Sequence, residues 1–534
     1  MNKTIKRILP RIMVPVVLLS LLALPACSTG KPAESPQTGS QSFRQIDSYT
    51  IADSTGDWGY PSPYAHYSRG PGYIRMQFVF ETLVWKNETA FVPQLAREWQ
   101  YNANDNSYTF KLQQNVKWHD GANFTADDVV FTYNYTKEHP YQWVDGSIVK
   151  SAEALDKYTV KLYLSKPYAP FLQDVAGTQP ILPKHIWQNV TEPEKFLSAE
   201  AVIGTGPYKL VDYNKELGTY LYKANDSYYL GKPIVKEIKF VKISTQMMPA
   251  ALKDGSVNAA GIPAEVVEDL KAAGFTVIVD KPSWNGKLTI NHKKEPLSSK
   301  EFRQALAYAI DRDALVQIVF RGHAVAGSPG MMPPTSVWYN PDIPQYKYDV
   351  EKAKELIARL GYRMEGGYFV KDGQPLKLSL IAAADYKDLG QFITQQLEKA
   401  GIRIDFQTFE AKTVDSKVAA WDFDLSIYGH GGLYEPSIYY KVVLDKGFNS
   451  ARYTSNDALT NLINNQLTEM DAQKRKEMVL QIQKLYAEDV PALTLYYPKS
   501  YWAHDGKVTL YYTMDGIASG VPIPLNRMCF VKQD

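Results

Sequence analysis

Cysteine is almost absent: Cys27 and Cys529 are the only two in 534 residues, so a disulfide framework is excluded and stability has to come from packing. An excess of charge of one sign is absent too. Lys and Arg number 59 against 57 Asp and Glu, which leaves no electrostatic footprint for nucleic acid or anionic lipid. The one marked apolar run, Met13 to Leu24, is too short to span a bilayer as a mature helix, and no later stretch approaches that length. The eight histidines form no pair at helical ligand spacing and there is no CxxC, so a site for a bare metal ion is not expected. GxSxG and HExxH are missing as well, which removes the commoner hydrolase signatures.

What is present begins with the leader. Lys3, Lys6, Arg7 and Arg11 precede the apolar run, and Leu24-Pro25-Ala26-Cys27 ends it with small residues before a cysteine. This order is that of a secretory signal. Its end resembles the lipobox of bacterial lipoproteins, which implies removal of residues 1–26 and diacylation of Cys27, anchoring an extracytoplasmic body to the cell membrane through lipid. Loss of the leader would leave 55 basic against 57 acidic groups, a formal charge of −2. Residues 27–44 hold no large apolar side chain before Phe43 and read as a flexible tether. Once Cys27 is acylated no intramolecular disulfide remains, and Cys529 is expected to be a packed apolar residue. The 37 tyrosines and 10 tryptophans offer contact area with a polar handle, which suits recognition.

The body reads as mixed α/β without repeats. Leu376 to Ile381 alternates as a strand, Leu389 to Lys399 is helical with Gly401 as a left-handed cap, Ile402 to Phe406 alternates again, and Phe423 to Tyr428 is a third strand. Strand, helix, strand predicts a right-handed crossover and a parallel pair. Ligands of such sheets sit beyond the strand C-termini, which singles out Ala384–Tyr386, Phe409–Lys412 and Tyr428–Glu435. Ser298-Ser299-Lys300-Glu301 reads as a capping box, with Leu297 and Phe302 as its staple. Asp311 restarts the helix and Gly322 stops it. Asp349 caps the next helix, which runs to Gly361.

These residues carry a resemblance. FRQALAYAIDRDALVQIVFRGHA (Phe302–Ala324), MMPP (Met331–Pro334) and YDVEKAKELIARLGY (Tyr348–Tyr362) resemble, in order, the family 5 extracellular solute-binding proteins, the peptide- and nickel-type receptors of ABC importers. FVPQLAREW (Phe91–Trp99), the run Tyr108–Tyr133, GTGPYKL (Gly204–Leu210) and the stretch Tyr453–Tyr497 extend it over nearly the whole body. The resemblance implies a two-lobed periplasmic-binding-protein fold of the class II, cluster C type, with an extra subdomain in the first lobe. Lobe I would comprise 45–80, 204–284 and 501–534, the inserted subdomain 81–203, and lobe II 285–500, hinged near Trp284–Asn285 and Ser500–Tyr501. It also implies a monomeric, non-enzymatic receptor without cofactor, which captures an oligopeptide or dipeptide by hinge closure and delivers it to permease and ATPase subunits. Nucleic acid is no partner. A chelated metal such as nickel with histidine, an oligosaccharide, or a role as peptide sensor are the alternatives.

Several motifs read as scaffold. Trp118-His119-Asp120-Gly121 is expected to be a strand and turn. Gly204-Thr205-Gly206 lacks the lysine and spacing of a phosphate loop, and Asp127-Asp128 suits a helix N-terminus. For the site, peptide-binding relatives carry an aspartate three residues before a Glu-Pro-like step, where it pairs with the peptide α-amine. Here that position is Gly432, before Glu435-Pro436, so Glu435 or Glu410 would have to substitute. His430, flanked by glycines, is the residue that could complete a chelated metal. The remaining ligand-contact candidates are Trp58, Tyr60, Arg75, Trp143, Trp284, Asn285, Trp421, Tyr428 and Tyr434, with Arg69 and Arg75 suited to a ligand carboxylate.

Overall fold

The computed structural model describes residues 45–532 apart from 446, 448, 515, 519, 522 and 523. The leader, Cys27 and the tether lie outside the described residues. Among the described residues no helix is long and apolar enough to cross a membrane.

Three sheets organise the chain. A seven-stranded sheet draws on three separate stretches: Ile46–Asp53, five strands between Tyr208 and Val279, and Tyr501–His504. Ile46–Asp53 pairs in parallel with Val235–Lys242 and Ala259–Ile262, and the late strand Tyr501–His504 inserts antiparallel between Ala259–Ile262 and Thr276–Val279. A four-stranded antiparallel sheet lies within 96–164. The six-stranded sheet runs in the order Ala324–Ala326, Ala492–Pro498, Trp284–Ile290, Leu425–Gly431, Lys377–Ala383, Arg403–Phe409. The chain passes between the two large sheets at 280–283 and again at 499–500. The crossings are tied to each other, because the Asp280 N–H donates to the Ser500 carbonyl at 2.8 Å.

Local chemistry explains the six-stranded sheet. Lys377–Ala383 pairs in parallel with both Arg403–Phe409 and Leu425–Gly431, joined by the helix Lys387–Lys399, which ends before Gly401 at φ +83°. Asp311 and Asp349 cap their helices by accepting from the N–H groups of Ala314 and Lys352. Two boundaries differ from the sequence reading. The cap of helix Lys300–Ala309 is Ser299, whose hydroxyl accepts from Phe302 N–H, while Ser298 donates to Glu295 instead. Glu301 is therefore one position too early for a reciprocal box. The helix begun by Asp311 ends at Ile318, and Gly322 serves the following turn at φ +82°.

Each sheet owns a core. Leu288, Phe302, Leu380, Ile393 and Leu425 fill that of the six-stranded sheet. Phe110, Trp118, Leu162 and Phe171 fill that of the four-stranded one. Much of the tyrosine goes inside: Tyr49, Tyr73, Tyr208, Tyr220 and Tyr222 are buried together with Phe78 and Phe240. Several of these place their hydroxyls on backbone carbonyls, Tyr208 on Val235 at 3.0 Å and Tyr222 on Arg75 at 3.1 Å. An acceptor of this kind offsets the cost of burying a phenol hydroxyl, so these tyrosines serve the architecture. Cys529 is buried in the same core, and burial pushes its thiol up to about 12.

The scaffold motifs act together. Trp118 to Gly121 forms a turn with Gly121 at φ +94°, in which Asp120 accepts from Ala122 N–H. His119 then clasps the 204–206 turn: its Nε2 donates to the Gly206 carbonyl at 2.9 Å and its Nδ1 accepts from Gly204 N–H. Asp128 closes the start of helix Ala126–Glu138 by accepting from Thr125 N–H at 2.9 Å.

Candidate ligand cleft

The loops beyond the C-terminal ends of the three parallel strands converge. Ala383 ends the first and Asp385 and Tyr386 follow it, Ala411, Val414 and Asp415 follow the second, and Tyr428 and Gly429 lie within the C-terminal half of the third, which ends at Gly431. With Trp284 they line a cavity of about 280 Å³, and Arg69, from the segment after the Ile46–Asp53 strand, completes it. A second cavity of about 420 Å³ lies at the crossing: Asp280, Lys281 and Ser283 face Tyr434 and the late segment Thr509 to Met514. The Trp284–Ile290 strand starts between the two. Both cavities therefore bring together residues that belong to different sheets and lie far apart in sequence.

The wall between them is set by register. Trp284 pairs with Gly431, Asn285 with His430 and Lys287 with Tyr428 across an antiparallel ladder. The Trp284 indole lies over Gly429, where an added Cβ would fall 1.9 Å from the ring, so glycine there is a packing requirement. The Tyr428 hydroxyl donates to Asp415 at 2.6 Å. His430 is 6 % exposed, and both its ring nitrogens lack a partner among the described residues, as does Asn285 Nδ2. Burial, and then the nearby Lys287 ammonium, hold the His430 imidazole well below its usual range, so it is neutral. Gly432 follows at φ +79°, with Gly520 against it: a Cβ on Gly520 would fall 2.4 Å from the Gly432 Cα. That contact requires glycine at 520, while the left-handed φ of Gly432 favours glycine over the aspartate of the peptide-binding pattern.

The other candidates separate into two groups. Tyr434 lines the larger cavity and shares a hydrogen bond of 2.7 Å with the Thr335 hydroxyl. Glu435 is committed to Arg475, whose guanidinium also holds Gln466. Burial pushes the Glu435 carboxyl up, Arg475 draws it back, and Asp174 pushes it up again. Glu410 is exposed at a helix start. Trp421 is buried against Ile381, Val414 and Phe423, and its carbonyl accepts from Asn291. Trp58, Tyr60, Arg75 and Trp143 lie apart from this wall. Trp58 Nε1 and Arg75 both donate to Asp53, at 2.9 and 2.6 Å, and the Arg75 guanidinium stacks 3.8 Å over Phe240. Arg75, from the helix Gly70–Met76, is therefore spent on the seven-stranded sheet, leaving Arg69 as the arginine at the cleft. The Tyr60 hydroxyl donates to the Ser198 carbonyl, and Trp143 stacks on His66.

Sequence reasoning missed Asp280, Asp415 and Lys287. Asp280 is partly buried at the crossing; its carboxylate accepts from the Ser283 hydroxyl at 2.8 Å, and burial raises it to about 7. A usable signal existed for Lys287: alternation through WNGKLTI puts a lysine among Asn285 and Thr289 in the middle of a central strand.

Three comparisons with known proteins bear on this arrangement. The pattern of the bacterial extracellular solute-binding proteins, family 5 middle, matches residues 90–450. The oligopeptide-binding protein AppA of Bacillus subtilis is 27 % identical over 521 residues, covering 92 % of this chain and 94 % of its own. The dipeptide-binding protein of Escherichia coli is 30 % identical over 349 residues, 60 % of this chain and 64 % of its own length. The crystal structure of NikZ from Campylobacter jejuni in complex with Ni(L-His) superposes with a TM-score of 0.74 at 25 % identity, covering 87 % of this chain and 95 % of that one.

Proposed function

The chain belongs to the bacterial extracellular solute-binding proteins of family 5, and from that premise we propose that it captures an oligopeptide or dipeptide between its two large sheets and delivers it to an ABC importer. In this reading lobe I is 45–80, 204–284 and 501–534, lobe II is 285–500, and 81–203 is an insertion. The body is held at the membrane by lipid on Cys27, acts as a monomer and turns nothing over. The supporting observation is the wall Trp284–Asn285 and Tyr428–Gly432, set between two cavities that draw residues from both sides of the crossing. A ligand that touches both sides only when they are closed shifts the population to the closed form by that difference in affinity. The paired crossings at 280–283 and 499–500 are where the bend falls, and the permease reads the closed form.

Thermal unfolding of the mature chain tests this with mixed di- to hexapeptides. A peptide at 100 times its Kd stabilises by about 2.7 kcal/mol, a rise of roughly 5–10 °C for lobes of this size. No shift with any peptide would end the peptide reading. The second reading, a chelated metal, is favoured by the unpartnered His430 ring. It requires a shift with nickel plus histidine, absent with nickel alone, that His430→Ala abolishes.

For a free α-amine, Asp280 is the cavity carboxylate best suited as partner: it is partly buried at the crossing, whereas Glu88 and Asp385 are exposed, and Asp415 is taken by the Tyr428 phenol. Its folded value of about 7 lies above the ordinary carboxylate value, so the folded state binds the proton more tightly. Stability of the ligand-free protein therefore falls as pH rises from about 4 to 7. Asp280→Asn is expected to flatten that part of the profile. It is also expected to weaken a free-amine peptide at least tenfold at pH 8, on the scale of a lost charge-assisted bond, while an N-acetylated peptide is unaffected. Equal loss for both peptides would remove Asp280 from this role.

A further inference from the structure

The central strands of the six-stranded sheet have two buried faces of opposite character. Leu288, Ile290, Leu425 and Ile427 enter the apolar core. The alternate residues Asn285, Lys287, Thr289, Ser426, His430 and, from Ala492–Pro498, Thr494 are polar and equally buried. Register places Asn285 opposite His430, Thr289 opposite Ser426, and Lys287 between Tyr428 on one side and Thr494 on the other. Asn285 Nδ2, both His430 nitrogens and the hydroxyls of Thr289, Ser426 and Thr494 have no hydrogen-bond partner among the described residues. Lys287 is 1 % exposed; its Nζ donates to the Asn449 carbonyl at 2.7 Å, which leaves two of its three donor positions.

Buried polar groups are normally paired, and a cluster of exceptions calls for a missing occupant. Water could satisfy neutral hydroxyls. It does not balance a buried ammonium, and no carboxylate pairs with Lys287 among the described residues. An unopposed cation beside unused N–H and O–H donors is complementary to an anion. The Asn285–His430 pair is itself buried, but its chain neighbours reach the cleft: Ser283 lines one cavity, and Trp284, Tyr428 and Gly429 line the other. We propose that this face is the receptor for a carboxylate of the bound ligand, which takes Lys287 Nζ, Asn285 Nδ2, the Thr494 hydroxyl and one His430 N–H as its donors. The proposal rests on the reading of the cleft as a peptide site and assigns the ligand's carboxylate end to this wall.

Burial pulls the Lys287 ammonium down to about 7 in the ligand-free protein. The titratable groups facing it are Tyr428, opposite and held on Asp415, and the neutral His430. The strand Ala492–Pro498 contributes Thr494, and the segment lying over this face contributes the Asn449 carbonyl. An anion favours the charged lysine, so affinity for it falls as pH rises through 7.

Calorimetry on the mature chain tests the site with tetra-alanine, tetra-alanine amide and, as a peptide-free carboxylate, glutarate, using the native protein and Lys287→Met. At pH 6 the acid is expected to bind at least tenfold more tightly than the amide. Lys287→Met removes that difference, because it weakens the acid far more than the amide. Methionine fills a similar volume without charge, and the native protein supplies a second readout: the acid-to-amide ratio shrinks as pH rises past 7. Equal binding of acid and amide, or a variant that weakens both alike, overturns the carboxylate site while peptide capture stands. Should neither peptide bind, the peptide reading fails and glutarate alone decides. Thermal stabilisation that Lys287→Met abolishes supports the site, and no stabilisation overturns it.

Discussion

Gly204→Ala is expected to cost about 3 kcal/mol of stability, the upper end for overpacking, and to lower the urea midpoint accordingly. An ideal Cβ at position 204 would fall 1.9 Å from the Val79 carbonyl oxygen. That oxygen cannot move aside, because it already accepts from Gly206 N–H at 2.9 Å. At Gly206 an added Cβ would fall 2.5 Å from the Phe78 carbonyl oxygen. His119 locks the turn from the other side: its N–H donates to the Gly204 carbonyl at 2.8 Å, and its ring is held neutral because burial lowers it to about 4. The strain therefore has nowhere to go but apart, separating the inserted region from the seven-stranded sheet. Gly431→Ala is the control, since its added methyl would meet its nearest neighbour at an ordinary 3.6 Å. Equal midpoints for the two variants would show that the 204–206 turn is not packed as described.

The second large effect concerns Arg475. Arg475→Met removes the cation from a buried pair and leaves Glu435 facing Asp174. Breaking such a pair from one side costs about 3–5 kcal/mol, whereas replacing both partners with apolar groups is often neutral. Glu435→Leu added to Arg475→Met is thus expected to restore most of the loss, a coupling a double-mutant cycle measures. The pH dependence has a definite sign. Burial already raises Glu435 in the folded protein, and without Arg475 it rises further, so the folded state of the variant binds a proton that the unfolded state releases. The deficit is largest at pH 7 and above and shrinks as pH falls toward 5. A deficit independent of pH, or a double variant no better than the single one, would assign the loss to packing around Trp338, over whose ring Arg475 lies at 5.4 Å.

Periodicity and punctuation were enough for the crossover unit. The alternation around Leu378 and Ile404, the helix ended by Gly401 and the caps at Asp311 and Asp349 all depend on neighbours within a few residues. They are visible in a linear reading and recur in the structure. The loops of the smaller cavity followed from the same unit, because the C-terminal ends of parallel strands must share one edge of the sheet. Even at short range the limit shows: Ser298 and Ser299 are chemically identical as caps, and only the structure shows the second accepting from Phe302 N–H while the first donates to Glu295.

The sequence by itself determined the alternating faces, the helix ends and the family to which the chain belongs, since these reside in local pattern and motif order. Only the tertiary structure decided which charges are spent and which remain. Arg75 is taken by Asp53 and Glu435 by Arg475, whereas Lys287 is left on a buried polar face with no acid beside it among the described residues. The pattern of a strand says which side a residue faces. What lies on that side is brought by segments tens or hundreds of residues away, as Asn449 is to Lys287 and Gly520 to Gly432, and the free energy of a buried charge is set by those partners rather than by its neighbours in the chain.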